Sequence, residues 1–185
     1  MNAIDNILNR NSPRELVSPH PNEKEMETIY KCALRAPDHA WLRPSRFIQV
    51  TGKGLSKLSE IFYCFAKDNI NNIGENVLER AKKAPFRAPM IVVIVSSMRK
   101  HPKVPEIEQM LSTAAAAQNI LLALNALNYG GIWRTGPFAL NEAVGKYLGL
   151  KENDQVLGYL YVGTVTGNLK KIPQLNVSEF VTKWS

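Results

Sequence analysis

The stretch "AAAAQNILLALNALNYGGIWRTG" (Ala114–Gly136) joins an alanine- and leucine-rich segment to a glycine pair, a tryptophan and a third glycine. The same pattern starts upstream near Glu106, and the spacing predicts one long helix over 106–128 that is apolar nearly all round. A helix of that kind needs neighbours on several sides, which puts it in the middle of the fold. "YGG" at 129–131 ends it. Paired glycines allow the backbone to come close to a flat ligand, with free N–H groups to donate to it. The same letters equally describe a helix cap followed by an edge strand with a core tryptophan.

Around that helix the sequence alternates little. "MIVVIV" (Met90–Val95) follows Pro89 and reads as a central strand buried on both faces. "SRFIQVTG" (Ser45–Gly52) and "VLGYLYVG" (Val156–Gly163) read as further strands, the first closed by a turn at Gly52. Leu55, Leu58, Ile61, Phe62 and Phe65 mark an amphipathic helix, a polar helix is expected around Asn72–Ala84, and a brief one over Asn141–Leu148. Ile4, Ile7 and Leu8 fall at helical spacing near the start. Asn22 with Glu25 forms an N-terminal capping signature ahead of Met26, Ile29, Tyr30, Ala33 and Leu34. That helix is expected to end near Ala36, because Pro37 pushes its predecessor out of helical geometry. Several helices and few strands without strict alternation indicate an α+β class, with helices on a small sheet. No repeat, low-complexity tract or linker interrupts residues 1–185, so one domain is expected.

Composition narrows the function. Hydrophobic residues make up 45% and charged ones 21% of 185, an ordinary globular balance. The apolar run "ILLAL" (Ile120–Leu124) is far short of the ~20 residues that span a bilayer. "MNAIDNILNR" has no apolar core of a secretory signal, so a cytoplasmic protein without a membrane partner is expected. The two cysteines, Cys32 and Cys64, have no metal-ligand spacing and are expected to be small buried residues in a reducing compartment. A net charge of +7 raises the question of nucleic acid. Its basic clusters lack interleaved aromatic residues and any nucleic-acid motif, so no nucleic-acid partner is expected. A basic surface also attracts a phosphorylated small molecule.

Three short stretches carry possible chemistry. "RNSPR" places Arg10, Ser12 and Arg14 together, two forked donors and a hydroxyl that match phosphate oxygens, or else a solvated basic face. "RAPDH" (Arg35–His39) sets Asp38 and His39 at a fixed bend, where the histidine is a base, a ligand or a donor, or simply part of a surface ion link. With three histidines in the chain and no cluster around any of them, no metal is expected. "YGGIWRTG" is the third. There is no G-x-S-x-G, G-x-G-x-x-G or P-loop.

In this order, "RNSPR", "RAPDH", "RPSRFIQVTG", "APFRAPMIVVIV", "AAAAQNILLALNALNYGGIWRTG" and "VLGYLYVGT" resemble the FMN-dependent nitroreductase family, in its compact bacterial NAD(P)H type. The resemblance covers nearly the whole chain. It implies an α+β homodimer, helices packed on a small mixed or antiparallel sheet, with two FMN sites at the subunit interface. By the same resemblance Arg10, Asn11, Ser12 and Arg14 match the segment that holds FMN, its ribityl phosphate above all. Arg35 and His39 match flavin contacts, Arg35 being a candidate for stabilising the reduced flavin anion, and Gly131, Ile132 and Trp133 match the segment lying against the flavin ring. The tail over 170–185 is expected to embrace the partner subunit. The implied activity is hydride transfer from NADH or NADPH through flavin N5 to a small electron-poor acceptor such as a nitroaromatic or a quinone. Enone reduction, dehalogenation and flavin breakdown remain as alternatives within the family, and a non-enzymatic basic binding module outside it. Pro44-Ser45 stands where relatives often carry Pro-Trp, with Trp41 four residues earlier, a departure expected to widen the substrate pocket or to shift an aromatic contact. The segment Leu121–Ala126, linked in relatives to the nicotinamide nucleotide, reads here as core packing.

Overall fold

The computed structural model describes residues 2–71 and 73–185. Strand β3 (Met90–Ser97) explains the architecture, being buried at every position but the last. Met90, Val92 and Ile94 join one apolar cluster, while Ile91, Val93 and Val95 join another on the opposite face. A strand with two apolar faces requires a layer on each side. One layer is α2 (Glu23–Ala33) with α5 (Glu106–Ala126), and the other is α3 (Lys53–Asn69), α4 (Glu75–Lys83) and α6 (Glu142–Tyr147). Short α1 (Ala3–Asn9) lies beside α5. In the sheet β2 (Ser45–Thr51) pairs with β3, and β3 with β5 (Asp154–Val165). The other edge of β5 takes β4 (Gly130–Arg134) and then the two-residue β1 (Leu16–Val17). All pairings are antiparallel, so the α+β reading is met and the sheet is not mixed.

Local signals account for the element ends. The Asn22 side chain accepts from Glu25 N at 3.0 Å and Asn22 N donates to Glu25 Oε2 at 2.8 Å, closing the expected capping box. Helix α2 ends at Ala33, three residues before the expected stop. The polar helix begins at Glu75; its expected start at Asn72 lies outside the described residues. The cysteine expectation is overturned, since Cys32 and Cys64 are both exposed. At 100° per residue, Cys32 sits about 100° round the helix from the stripe of Met26, Ile29 and Ala33, beyond the buried sector. Cys64 lies on the back of α3, away from Leu58, Phe62 and Phe65.

A bulge in β5 shapes the region near β4. Ile94 pairs with Gly158 but Val95 with Val156, leaving Leu157 as the extra residue. Gly158 has φ +149°, and a Cβ there would land on the indole nitrogen of Trp133 and 2.9 Å from the Arg134 carbonyl. Trp133 Nε1 donates to the Leu157 carbonyl at 3.2 Å. The bulge is therefore the seat of the tryptophan. Beyond β5 the chain leaves the body, and residues 166–185 are all exposed, among them Leu175, Phe180 and Trp184. Among the described residues no helix is long and apolar enough to cross a membrane.

Candidate functional site

A cleft of about 480 Å³ opens between α3, α4 and the end of β4. Its apolar wall is Phe62, Phe138, Tyr159 and Trp133. Phe62 stacks on Phe138 with centroids 4.0 Å apart and meets Tyr159 edge-on at 5.0 Å. The Tyr159 hydroxyl donates to the Phe138 carbonyl at 2.7 Å, so this wall is rigid. Its polar part is cationic: Arg80, Arg87 and Arg134 line it without a single carboxylate among the described lining residues. The Arg134 guanidinium lies over the Tyr161 ring at 5.4 Å, and its buried Nε has no hydrogen-bond partner among the described residues. Burial pushes the Arg134 guanidinium below its ordinary value, and the cations of Arg87 and Arg14 push it the same way. A concave aromatic cleft with unmatched positive charge suits a planar ligand bearing negative or carbonyl groups.

The N-terminal motif converges beside this cleft. Arg10 Nη1 donates to Asn11 O at 2.8 Å and to Ser12 Oγ at 3.1 Å, bringing guanidinium and hydroxyl to one point. Asn11 Nδ2 donates to Lys170 O at 2.6 Å, which ties the motif to the segment after β5. A recess of about 170 Å³ is lined by Ser12, Arg14, Thr166, Asn168 and Lys170, donors suited to a phosphate group, with Glu15 also on its rim. Pro13 packs against Gly130, where any side chain would meet Leu16, Val165 and Pro13 within 2.7 Å. Gly131 is likewise filled behind by Leu121 and Leu124. The glycine pair thus serves packing against the core, and Leu121 and Leu124 are buried as expected. Ile132 and Trp133 follow on the edge strand β4, so Arg10, Asn11, Ser12, Arg14, Gly131, Ile132 and Trp133 share one region.

Arg35 and His39 stand elsewhere. Ser112 Oγ donates to Pro37 O at 2.6 Å, and His39 Nδ1 lies 2.7 Å from Glu108 Oε2, at the N-terminal end of α5. Helix α1, just before the arginine motif, is bonded to the other end of α5 through Asn6 to Leu122 O at 2.9 Å. From 108 to 122 the helix rises roughly 20 Å, so His39 and the arginine motif do not meet around one small ligand within one chain. Arg35 stands between them along α5, since the Cys32 carbonyl beside it accepts from Asn119 Nδ2 at 3.1 Å. Asp38 does not orient His39. Its carboxylate accepts from Leu42 N at 3.1 Å and Arg43 N at 2.9 Å, holding the following loop. Ser45 turns toward α5, where its hydroxyl lies 3.4 Å from that of Thr113. Among the described residues no three His, Cys, Asp or Glu side chains gather where they could hold a metal.

The model of the Nitroreductase family matches residues 7–164, which is most of the chain. The chain belongs to the nitroreductase family. Over 185 residues it is 32% identical to a protein of Escherichia coli named "Putative NAD(P)H nitroreductase YdjA", with 98% of this chain and 99% of that one covered. A nitroreductase-like family protein of Bacillus cereus superposes with a TM-score of 0.82 at 19% identity, over 100% of this chain and 96% of the other. A Bacteroides fragilis nitroreductase solved with bound FMN gives a TM-score of 0.77 at 20% identity and covers both chains fully. The nitroreductase fold expected from the sequence is thereby established.

Three residues of this candidate site escaped the sequence reading. Arg134 lies inside "YGGIWRTG" and Arg87 inside "APFRAP", while Lys170 was visible only as half of a "KK" pair. Nothing in the local sequence states that positions 87 and 134 face one cleft; that follows from β3 and β4 flanking β5.

Proposed function

We propose that the protein is an FMN-dependent oxidoreductase that passes hydride from NADH or NADPH to a small electron-poor acceptor such as a nitroaromatic or a quinone. The observation that carries it is the cleft: an aromatic wall beside Arg87 and Arg134, with a buried guanidinium nitrogen that has no partner among the described residues. Membership of the family and the E. coli relative's name support the reductant, and the FMN of the B. fragilis structure supports the cofactor. FMN supplies a two-electron carrier that takes hydride from the nicotinamide and yields it to the acceptor. The protein's part is to hold and polarise. Arg10, Asn11, Ser12 and Arg14, with Lys170 beside them, grip the phosphate. Gly131, Ile132 and Trp133 support the ring, and Arg134 and Arg87 place positive charge where negative charge grows on reduction.

On this reading His39, and Arg35 on the same segment, act on the flavin of a second copy, because His39 lies roughly 20 Å along α5 from the point where the helix before the arginine motif is bonded. The homodimer accounts for the exposed apolar tail, and for Ile4, Ile7 and Leu8 on α1 and Ile107 and Leu111 on α5, which this chain leaves uncovered. The protein is expected to elute as a dimer, and a chain truncated after residue 166 as a monomer or a weak dimer. A full-length monomer across the micromolar range would count against the shared site.

The FMN reading has its own test. A charge-assisted hydrogen bond contributes about 1.5–3 kcal/mol, so Arg10→Ala should weaken FMN roughly ten- to a hundredfold. Titration of the apoprotein with FMN, followed by flavin fluorescence, measures this. Equal affinity in the variant would remove Arg10 from the phosphate site, and a wild-type protein that takes up no FMN would end the proposal.

A further inference from the structure

The loop between the Asp38 bend and β2 has an unusual backbone. Ala40, Trp41 and Arg43 have φ of +57°, +52° and +53°, a region that residues with a Cβ adopt only under constraint. The constraint is on view. Asp38 accepts from two backbone N–H groups of the loop and reaches Arg43 Nη1 at 3.4 Å, while Arg46 Nη1 donates to Arg43 O at 2.7 Å. All of this holds Trp41 outward with 77% of its surface exposed. One side of its ring is met by the Arg43 guanidinium, 5.5 Å from the centroid. A strained loop that gains no packing for its tryptophan points to a use outside its own chain.

We infer that Trp41 is a specificity-determining residue that stacks on planar, electron-poor aromatic acceptors at the flavin of the neighbouring copy. The inference rests on the function proposed above, in which His39 of one copy reaches the other copy's flavin. Trp41 is two positions after His39, at most about 7 Å of chain, so the indole falls within reach of the same ring. The indole is electron-rich and Arg43 fixes its plane, leaving a rigid face that favours an electron-poor ring over a non-planar acceptor. This is the aromatic contact that Ser45, turned toward Thr113, does not provide.

The test separates acceptors in the FMN-loaded, NADPH-reduced holoenzyme, using anaerobic stopped-flow reoxidation by nitrofurazone and, separately, by dioxygen, which has no ring to stack. Trp41→Ala should lower the second-order rate constant for nitrofurazone about tenfold and leave that for dioxygen unchanged, with Trp41→Phe recovering most of the loss. FMN content and the rate of reduction by NADPH should match the wild type. A nitrofurazone rate that does not change, or that falls in step with dioxygen, overturns the inference while leaving the oxidoreductase intact. A wild-type protein without FMN overturns both.

Discussion

Gly158→Ala is expected to destabilise the protein by about 3 kcal/mol, the sum of a strained backbone and a steric conflict in a packed interior. For a chain of this size that is a fall of roughly 10 °C in Tm. The added methyl has nowhere to go. It would occupy the position of the Trp133 indole nitrogen and press on the Arg134 carbonyl, at a residue whose φ of +149° disfavours any side chain. Relief requires Trp133 to leave the Leu157 carbonyl, so its fluorescence should shift along with the melt. Both changes should appear in the apoprotein. A variant with unaltered Tm and tryptophan emission would mean that the bulge in β5 does not hold the ring as described.

Arg134→Met should produce effects of opposite sign on stability and binding. Without FMN the variant should melt at the same temperature or higher, because methionine removes a partly buried charge crowded by Arg87 and Arg14 and keeps much of the contact with Tyr161. With FMN it should bind at least tenfold more weakly, for want of a charged donor in the cleft. Thermal melts with and without FMN, together with a fluorescence titration, read both arms. A lower Tm with unchanged affinity would make Arg134 a packing residue whose guanidinium serves only Tyr161.

The layered plan was legible because it is written in periodicity. "MIVVIV" needs both faces covered, the Asn22–Glu25 box sets the start of α2, and the long helix leading into "YGG" needs apolar neighbours. Strand β1 was not legible, since two residues carry no pattern and their partners, Val165 and Thr164, are distant in sequence. The exposed cysteines misled because a cysteine's usual burial outweighed its place on the helical wheel. The candidate site was half visible. Its phosphate end is a compact motif, but the Arg87–Arg134 pair is assembled by strand neighbours and appears in no local run. The left-handed residues of the Trp41 loop were hidden for another reason: alanine, tryptophan and arginine do not announce positive φ as glycine does.

Strand β5 is the hub of the sheet, taking β3 on one edge and β4 and β1 on the other, and it is the last strand in the chain. Leu16, two residues past the second arginine of the opening motif, waits for Val165. The sheet can therefore close only after residue 165 has been made, about 150 residues after Arg14, so the arginine motif acquires its support late in folding.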